Sequence, residues 1–226
     1  MAAACTQTSS LIVGAVEART GADLSQGFTL SAWLLPGLQE GDRSPGWYNN
    51  NGYDFYSQTN EDWAETEKLC AAAVRERLAV FANDPAYALD FFYRKTVSQW
   101  NEPSYQSLWI NEMMRDPERS ALVLSLYERG KLGKAMLWWM NEYQWLMYAG
   151  VGLWLIFRMK KAALAELFFP LFFVGGFLFQ LVWEAKSQYI LMYAFCLIPY
   201  AAAGYLALAR RLLMRARAAK NAKAQA

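Results

Sequence analysis

Charged and amide side chains beside the apolar stretches of this 226-residue chain are its first candidates for chemistry. Glu184, Lys186 and Gln188 lie in a short segment between two apolar stretches, and Glu142 lies inside another. Because an ionised group near lipid is costly unless it faces a cavity or a partner, these positions are functional-site candidates. Two plainer interpretations stay open: Glu142 reaches the interface and binds water, and Glu184 and Lys186 belong to a solvated turn.

The residue types also exclude several reaction classes. The chain has no histidine, which excludes histidine acid–base chemistry and the usual zinc sites. Its cysteines, Cys5, Cys70 and Cys196, fall in three different settings, and we expect no disulfide. There is no glycine-rich phosphate loop, no serine nucleophile elbow and no set of carboxylates at metal-ligand spacing. We therefore expect neither a metal nor a cofactor.

Three apolar stretches, at about residues 135–157, 162–183 and 189–209, fill most of the second half of the chain. At ~1.5 Å per residue, a helix of about 21 to 23 residues crosses a hydrocarbon core of ~30 Å. Single strands would leave backbone groups unpaired in lipid, so helices are expected. The expected fold is mainly α-helical, an integral membrane protein in which domain 1–134 precedes three transmembrane helices. The alternative is a buried helical hairpin of a soluble protein.

The positions of the cations predict the orientation of these helices. The turn at 158–161 carries three cations, and residues 210–226 form a basic tail. Short loops rich in Lys and Arg stay on the cytoplasmic side, so both segments are expected there. Domain 1–134 and the Glu184 turn then face outward from the plasma membrane. Because the tail directly follows a span, we interpret it as a contact for anionic lipid headgroups and expect no nucleic-acid partner.

The outward domain divides into an aromatic-rich part and a helical part. Residues 21–60 are rich in Gly, Asn, Asp, Ser and aromatic residues and lack helical periodicity, so an ordered loop region is expected. Its aromatic side chains form a small core, lie in a belt at the headgroup level, or stack on carbohydrate. From residue 62 to 81, apolar residues recur every three to four positions, which predicts a helix. A further helix is expected over 120–128.

A second helix is predicted between these two. Asn83 or Asp84 followed by Pro85 is a helix-start signal, a capping side chain before a proline at the first helical position. The helix should run to about residue 100, with Leu89, Phe92 and Thr96 on one face. Such a face suits packing on a membrane surface or on a neighbouring helix.

The amino-terminal segment shows no export signal of its own. Its apolar run at residues 11–16 is too short for a signal peptide or a membrane span. An outward domain then needs either the first apolar stretch as an internal signal or additional upstream helices. We expect upstream helices, because the motifs described next belong to proteins that have them.

Motifs along most of the chain resemble one known family. The Glu184 turn reads WEAKSQY from Trp183 to Tyr189, between Gly175-Gly176-Phe177 and Ile198-Pro199-Tyr200. The outward domain adds Gly21-Ala22-Asp23, Gly27-Phe28, Trp33, Pro36-Gly37-Leu38-Gln39-Glu40, Pro45-Gly46-Trp47-Tyr48-Asn49 and RKTVSQWNEP at 94–103. In content and order, these motifs resemble the carboxy-terminal region of bacterial polytopic glycosyltransferases. These glycosyltransferases are the dolichyl-phosphate-mannose protein mannosyltransferase-like members of the GT-C superfamily.

The resemblance implies transfer of a sugar from a polyprenyl-phosphate-linked donor at the outer face of the membrane. Lys186 would offer a cation to the donor phosphate and Glu184 would orient that cation, since lysine binds phosphate as a point charge. Aromatic residues of the outward domain would line a sugar or acceptor surface. The candidate substrate-binding residues are Lys186, Glu184, Gln188, Glu142, Trp47, Tyr48 and Trp100.

The sequence departs from the family at the catalytic base. In the family this base is an acidic residue in the first outward loop, beside an amino-terminal membrane helix, and this sequence contains neither. No catalytic base is therefore assigned. We expect the chain to be a carboxy-terminal portion: a truncated gene, a misplaced start, or half of a split enzyme with an amino-terminal membrane partner chain. The alternative is a non-catalytic, membrane-anchored scaffold or interaction protein.

Overall fold

The computed structural model describes residues 2–21, 29–41, 44–113, 116–127 and 129–225, and within these ranges the protein is mainly helical without a β-strand. The predictions that involve Ala22, Asp23, Gly27, Phe28 and Glu128 lie outside the described residues. The α-helices are α1 (Ala2–Thr20), α2 (Leu30–Leu38), α3 (Asn51–Gln58), α4 (Trp63–Asn83), α5 (Pro85–Trp100), α6 (Ser107–Met113), α7 (Ala121–Leu126), α8 (Lys131–Phe157), α9 (Phe168–Val182) and α10 (Leu191–Gln225). Single 3₁₀ turns cover Met159–Lys161, Leu164–Leu167 and Ser187–Ile190.

Local sequence signals account for the starts of α4 and α5. Asp62 Oδ1 accepts a hydrogen bond from the backbone N–H of Glu65 at 3.0 Å, and Asp84 Oδ1 accepts one from Tyr87 at 2.9 Å. Each aspartate thus satisfies an otherwise unpaired N–H of the first turn. Pro85 occupies the first position of α5, where the missing N–H has no consequence. Both predicted helix starts are confirmed.

The ordered loop predicted for residues 21–60 is wrong for two segments, which form α2 and α3. Pro36 and Gly37 lie near the end of α2, and both residue types disfavour helix interiors. α2 is helical nonetheless because Leu35 is fully buried against α4, and tertiary packing outweighs propensity. Two apolar clusters hold α2 to α4 and α5: Ala32, Leu35 and Cys70 form one, and Leu38, Phe81 and Phe91 form the other.

α8 and α10 pack against each other along a glycine-lined contact. A Cβ atom at Gly204 of α10 would collide with the carbonyl oxygen of Gly150 on α8. Small residues of this kind allow two helix backbones to approach closely, a frequent arrangement between membrane helices. The adjoining buried cluster consists of Met147, Ala194, Leu197 and Ala201.

In the described part of the chain, two helical segments, Leu164–Val182 and Ser187–Lys223, are long and apolar enough to span a membrane. In the most apolar 18-residue stretch of each segment, 11% is buried in the first segment and 33% in the second. The core helix of a soluble protein, in contrast, is mostly buried. The first predicted span, 135–157, lies within α8, which is not one of the two segments. α10 continues without a break to Gln225, so the basic tail is helical.

Candidate binding site at the Glu184 turn

The carboxyl-terminal half of α5 holds the Glu184 turn against the amino-terminal helices. Lys95, only 1% exposed, donates from Nζ to the carbonyl oxygens of Gly37 at 2.5 Å, Leu181 at 2.9 Å and Trp183 at 2.7 Å. The last two carbonyls belong to the end of α9, where helical carbonyls lack partners and a cation is favourable. Burial lowers the pKa of Lys95 to about 7. One buried side chain therefore links α2, α5 and α9.

Two further side chains after Lys95 extend this link. Gln99 Nε2 donates to Gln180 Oε1 at 2.8 Å and to the backbone oxygen of Lys186 at 3.2 Å. Glu102 Oε2 accepts from the hydroxyl of Ser187 at 2.5 Å and from the backbone N–H of Gln106 at 2.6 Å. The segment 95–102 thus fixes both the turn and the loop that leads into α6.

A backbone contact brings the loop around residue 46 to the same turn. The N–H of Ala185 donates to the carbonyl of Gly46 at 2.7 Å, and Trp47 Nε1 donates to Ser98 Oγ at 3.0 Å. Gly46 has a φ of +76°, a left-handed conformation that glycine adopts without strain, and a Cβ there would collide with the Lys95 side chain. The Trp47 ring is held in one orientation by its hydrogen bond.

These contacts form an open cleft of about 550 Å³. The loop after α2, the start of α6 and the Glu184 turn each contribute one wall. The lining residues are Glu40, Gly41, Trp47, Tyr48, Asn49, Asn50, Asn51, Gln106, Trp109, Ile110, Lys186 and Gln188.

Lys186 supplies the cation of this cleft. Its Nζ lies 2.7 Å from Glu184 Oε1 and 5.5 Å from the centroid of the Tyr48 ring. Burial alone would lower the pKa of Lys186, but the hydrogen bond and charge of Glu184, with a contribution from Tyr189, outweigh burial and raise it. The ammonium is therefore present at neutral pH and above. Glu184 Oε1 makes this ion pair and has no other polar partner in the described part of the chain.

Two amide groups in the cleft wall are buried without a hydrogen-bond partner among the described residues. They are Gln106 Nε2 and Asn49 Nδ2. Gln106 is only 2% exposed, and a buried donor without an acceptor costs about 1–3 kcal/mol. Native proteins leave few such groups, and each calls for an explanation. Neither nitrogen is accessible from the cleft, so a ligand would reach either one only after the side chain moves.

The backbone is strained beside these groups. Asn50 has a φ of 60°, Tyr105 of 49° and Gln106 of 66°. Asparagine tolerates this left-handed region, but the other two residue types rarely adopt it. The strain at Tyr105 and Gln106 is held by Glu102, whose carboxylate accepts from the backbone N–H of Gln106. Strained residues of this kind cluster at ligand sites.

Glu40 is the one carboxylate among the described residues that line the cleft. Its Oε1 lies 2.9 Å from Arg94 Nη2 and accepts from the Tyr87 hydroxyl at 2.8 Å. Arg77, which also contacts Tyr87, approaches Glu40 to 4.0 Å. Because two cations and a phenol engage this carboxylate, it is an anchored group and not a free base.

The structure brings together four of the seven residues selected from the sequence: Lys186, Gln188, Trp47 and Tyr48 all line the cleft. Glu184 lies behind Lys186 and lines a smaller neighbouring cavity of about 220 Å³. Trp100 is outside the cleft, because its ring is buried against Phe173 and Phe177 and has no free face for a sugar.

Glu142 also lies elsewhere, exposed on α8. Sequence reasoning missed several lining residues, including Glu40, Gln106 and Trp109. The run Asn49-Asn50-Asn51 directly after two selected aromatic residues was an available signal. Gln106 offered none, because its role depends on burial that only the fold reveals.

Comparisons of this chain with family models, with curated proteins and with solved structures gave no match.

Proposed function

We propose that this chain is a multi-span protein of the plasma membrane and forms the donor-binding part of a glycosyltransferase. Its cleft would hold the phosphate and sugar of a polyprenyl-phosphate-linked donor at the outer face of the membrane. The observation that carries the proposal is one cleft that combines a lysine cation, two unpartnered amide donors and three aromatic residues beside two apolar helices.

Helix length and exposed apolar surface support membrane insertion. The 3₁₀ turn and α9 together run from Leu164 to Val182 and cover about 30 Å, which matches the hydrocarbon core. α8 has 27 residues and covers about 40 Å. Trp138, Trp139 and Trp145 are exposed on α8, as expected for residues at a membrane interface.

The contact between the amino-terminal helices and the Glu184 turn supports a third span. Lys95 and Gln99 of α5 bind the turn at the end of α9, so the amino-terminal domain and this turn lie on one side of the membrane. The basic turn 158–161 lies at the opposite end of α9. α8 connects the domain to that turn and therefore must cross the membrane if α9 does.

The distribution of cations supports an outward position for this shared side. The 158–161 turn and the end of α10 carry the basic residues that remain in the cytoplasm. The cleft, built on the opposite turn, then lies at the outer lipid boundary. A lipid-linked donor places its phosphate at that depth, because the prenyl chain stays in the hydrocarbon and the charge stays in water.

The cleft chemistry suits a phosphorylated sugar. Lys186 binds a phosphate oxygen as a point charge, and the amides of Gln106 and Asn49 donate to phosphate or hydroxyl oxygens. The rings of Trp47, Tyr48 and Trp109 line the cleft, and Tyr48 is 54% exposed, so this wall supplies apolar surface for a sugar ring. No metal-ligand cluster exists among the described residues.

Sugar transfer also needs a base that removes a proton from the acceptor. Glu40 is engaged by Arg94 and Tyr87, and Glu184 is engaged by Lys186. The base would therefore come from a second membrane chain, with this chain binding the donor. The same engaged carboxylates favour a second candidate function, a non-catalytic scaffold that binds the lipid-linked sugar and presents it to other proteins.

Donor binding by the purified chain tests the proposal. Lys186→Met should weaken binding of a radiolabelled polyprenyl-phosphate sugar about 10- to 100-fold, because one charge-assisted contact is lost. Lys134→Met removes an exposed cation of α8 outside the cleft and should leave binding unchanged. Equal affinity of the Lys186→Met variant and the parent would refute the proposed site.

Sugar transfer then separates the two functions. Membranes that contain this chain alone are compared with membranes that also contain the product of any adjacent upstream reading frame. Transfer only in the pair supports a shared enzyme. Donor binding without transfer in either sample supports the scaffold.

A further inference from the structure

A second cleft, of about 880 Å³, lies at the opposite end of the apolar helices. The end of α8, the turn that follows it and the middle of α10 form its walls. Its lining residues are Phe157, Arg158, Lys161, Ala203, Leu206, Ala207, Arg210, Arg211, Met214 and Arg215.

Five of these residues are cations, and none of the lining residues carries a negative charge. Arg211 and Arg215 are four positions apart on one helix, where like charges destabilise each other. The Arg211 guanidinium packs over the Phe157 ring at 4.3 Å from the centroid, which fixes part of the cleft floor. The described residues supply no compensating anion within this cleft, so an anionic ligand would relieve the repulsion.

The other half of the lining is apolar, and two of its five side chains are exposed. Leu206 is 58% exposed and Met214 is 62% exposed. These side chains continue the apolar surface of α10 directly into the ring of cations. A ligand that fills the whole cleft therefore needs a charged part and a hydrocarbon part, which a soluble phosphate or a nucleic acid lacks.

We propose that this cleft binds the headgroup of an anionic phospholipid with two phosphates in the cytoplasmic leaflet. Basic pockets between membrane helices on this side suit such headgroups. Two phosphates, rather than one, match five cations gathered in a single cleft. The site is separate from the cleft at the Glu184 turn, and it needs only that α9 and α10 lie in a membrane.

The test uses the purified full chain in neutral detergent, with titration of a diphosphatidylglycerol and, separately, of a monophosphate phosphatidylglycerol. The test variant replaces Arg210, Arg211 and Arg215 with glutamine. The matched control replaces Arg217, Lys220 and Lys223 with glutamine, which removes the same charge from the same helix outside the cleft. The test variant should lose on the order of 100-fold in affinity for the two-phosphate lipid. The loss of affinity in the control variant should be at least about tenfold smaller than in the test variant.

Three results would overturn the inference: an equal loss in both triple variants, equal affinity for the two lipids, and displacement of the lipid by millimolar inorganic pyrophosphate. If the test variant does not fold, a second pair of variants tests the site. Lys161→Gln should weaken binding of the two-phosphate lipid more than Lys160→Gln does, because only Lys161 lines the cleft. Equal effects of these neighbouring substitutions would count against the site.

Discussion

Gln99 and Gln106 are equally hidden from solvent, but only one of them is satisfied. Gln99 is 1% exposed and donates to two oxygens, whereas Gln106 is 2% exposed and its amide nitrogen has no partner among the described residues. An unmade buried hydrogen bond costs free energy. Loss of the Gln99 amide should therefore destabilise the fold, whereas loss of the Gln106 amide should not. We therefore predict that Gln99 stabilises the fold and that Gln106 contributes to ligand binding instead.

Replacement of each glutamine by methionine, a side chain of similar length, separates these roles. Gln99→Met should lower the free energy of unfolding by about 1–3 kcal/mol, because Gln180 and the Lys186 carbonyl lose a donor. Gln106→Met should leave the free energy of unfolding unchanged or raise it by about 1 kcal/mol, while it weakens donor binding. Chemical unfolding in detergent, with donor titration on the same samples, measures both. A destabilised Gln106→Met variant would show that this amide belongs to the fold.

At the scale of elements, α5 shows what could be predicted from sequence and what could not. Its start followed from Asp84 and Pro85, because capping is a local interaction. The face predicted to pack on a membrane surface or on a neighbouring helix carries Phe92, which packs against Phe81 and Phe91, and Leu89, which is 74% exposed. The buried face also includes Lys95 and Gln99, whose partners are carbonyls and an amide from distant segments. Hydrophobic periodicity does not identify a polar side chain that is buried because the fold supplies its partners.

The candidate site also contains residues that the sequence predicted correctly and a residue whose role it did not predict. The resemblance placed Lys186, Gln188, Trp47 and Tyr48 in one set, and these four share a cleft although about 140 residues separate the two pairs. Trp100 was selected for its ring, but its contribution is its carbonyl oxygen, which accepts from Gln144 and Tyr148. Composition and spacing report what a residue type is able to do, and not which of its atoms the fold uses.

The contact between α8 and α10 gives a prediction at the same scale. Gly150→Ala should destabilise the protein by about 1–3 kcal/mol, because its Cβ would lie 2.8 Å from the Cα of Ala201 on the facing helix. Gly152, two positions along α8, faces open space: apart from its chain neighbours and the backbone of its own helix, no atom lies within 4 Å of the position that a Cβ would take. Gly152→Ala should therefore be neutral or stabilise α8 by up to about 1 kcal/mol. Thermal unfolding in one detergent compares the variants, and equal melting temperatures would argue against this helix contact.

At the scale of the whole molecule, the two clefts mark opposite ends of one helical unit. The cleft at the Glu184 turn combines one lysine with amides and aromatic rings, whereas the cleft at the end of α8 gathers five cations. The asymmetry of charge that predicts the orientation of the helices thus also distinguishes the proposed site for a lipid-linked sugar from the proposed site for an anionic lipid. The proposed function depends on the number of times the chain crosses the membrane, whereas the anionic-lipid site needs only that α9 and α10 lie in a membrane.

Labelling of single cysteines on intact cells measures this number. With three spans, Glu76→Cys on α4 should react with a membrane-impermeant maleimide, and Lys220→Cys on α10 should react only after the cells are opened. Both positions are exposed, so access depends on the membrane and not on burial. The parent protein, which keeps its own cysteines, gives the background. If only α9 and α10 cross, the amino-terminal domain and the tail share one side and both variants label alike. That result would also require the Lys95 contacts with α9 to break in the membrane, because the domain and the Glu184 turn would then face opposite sides.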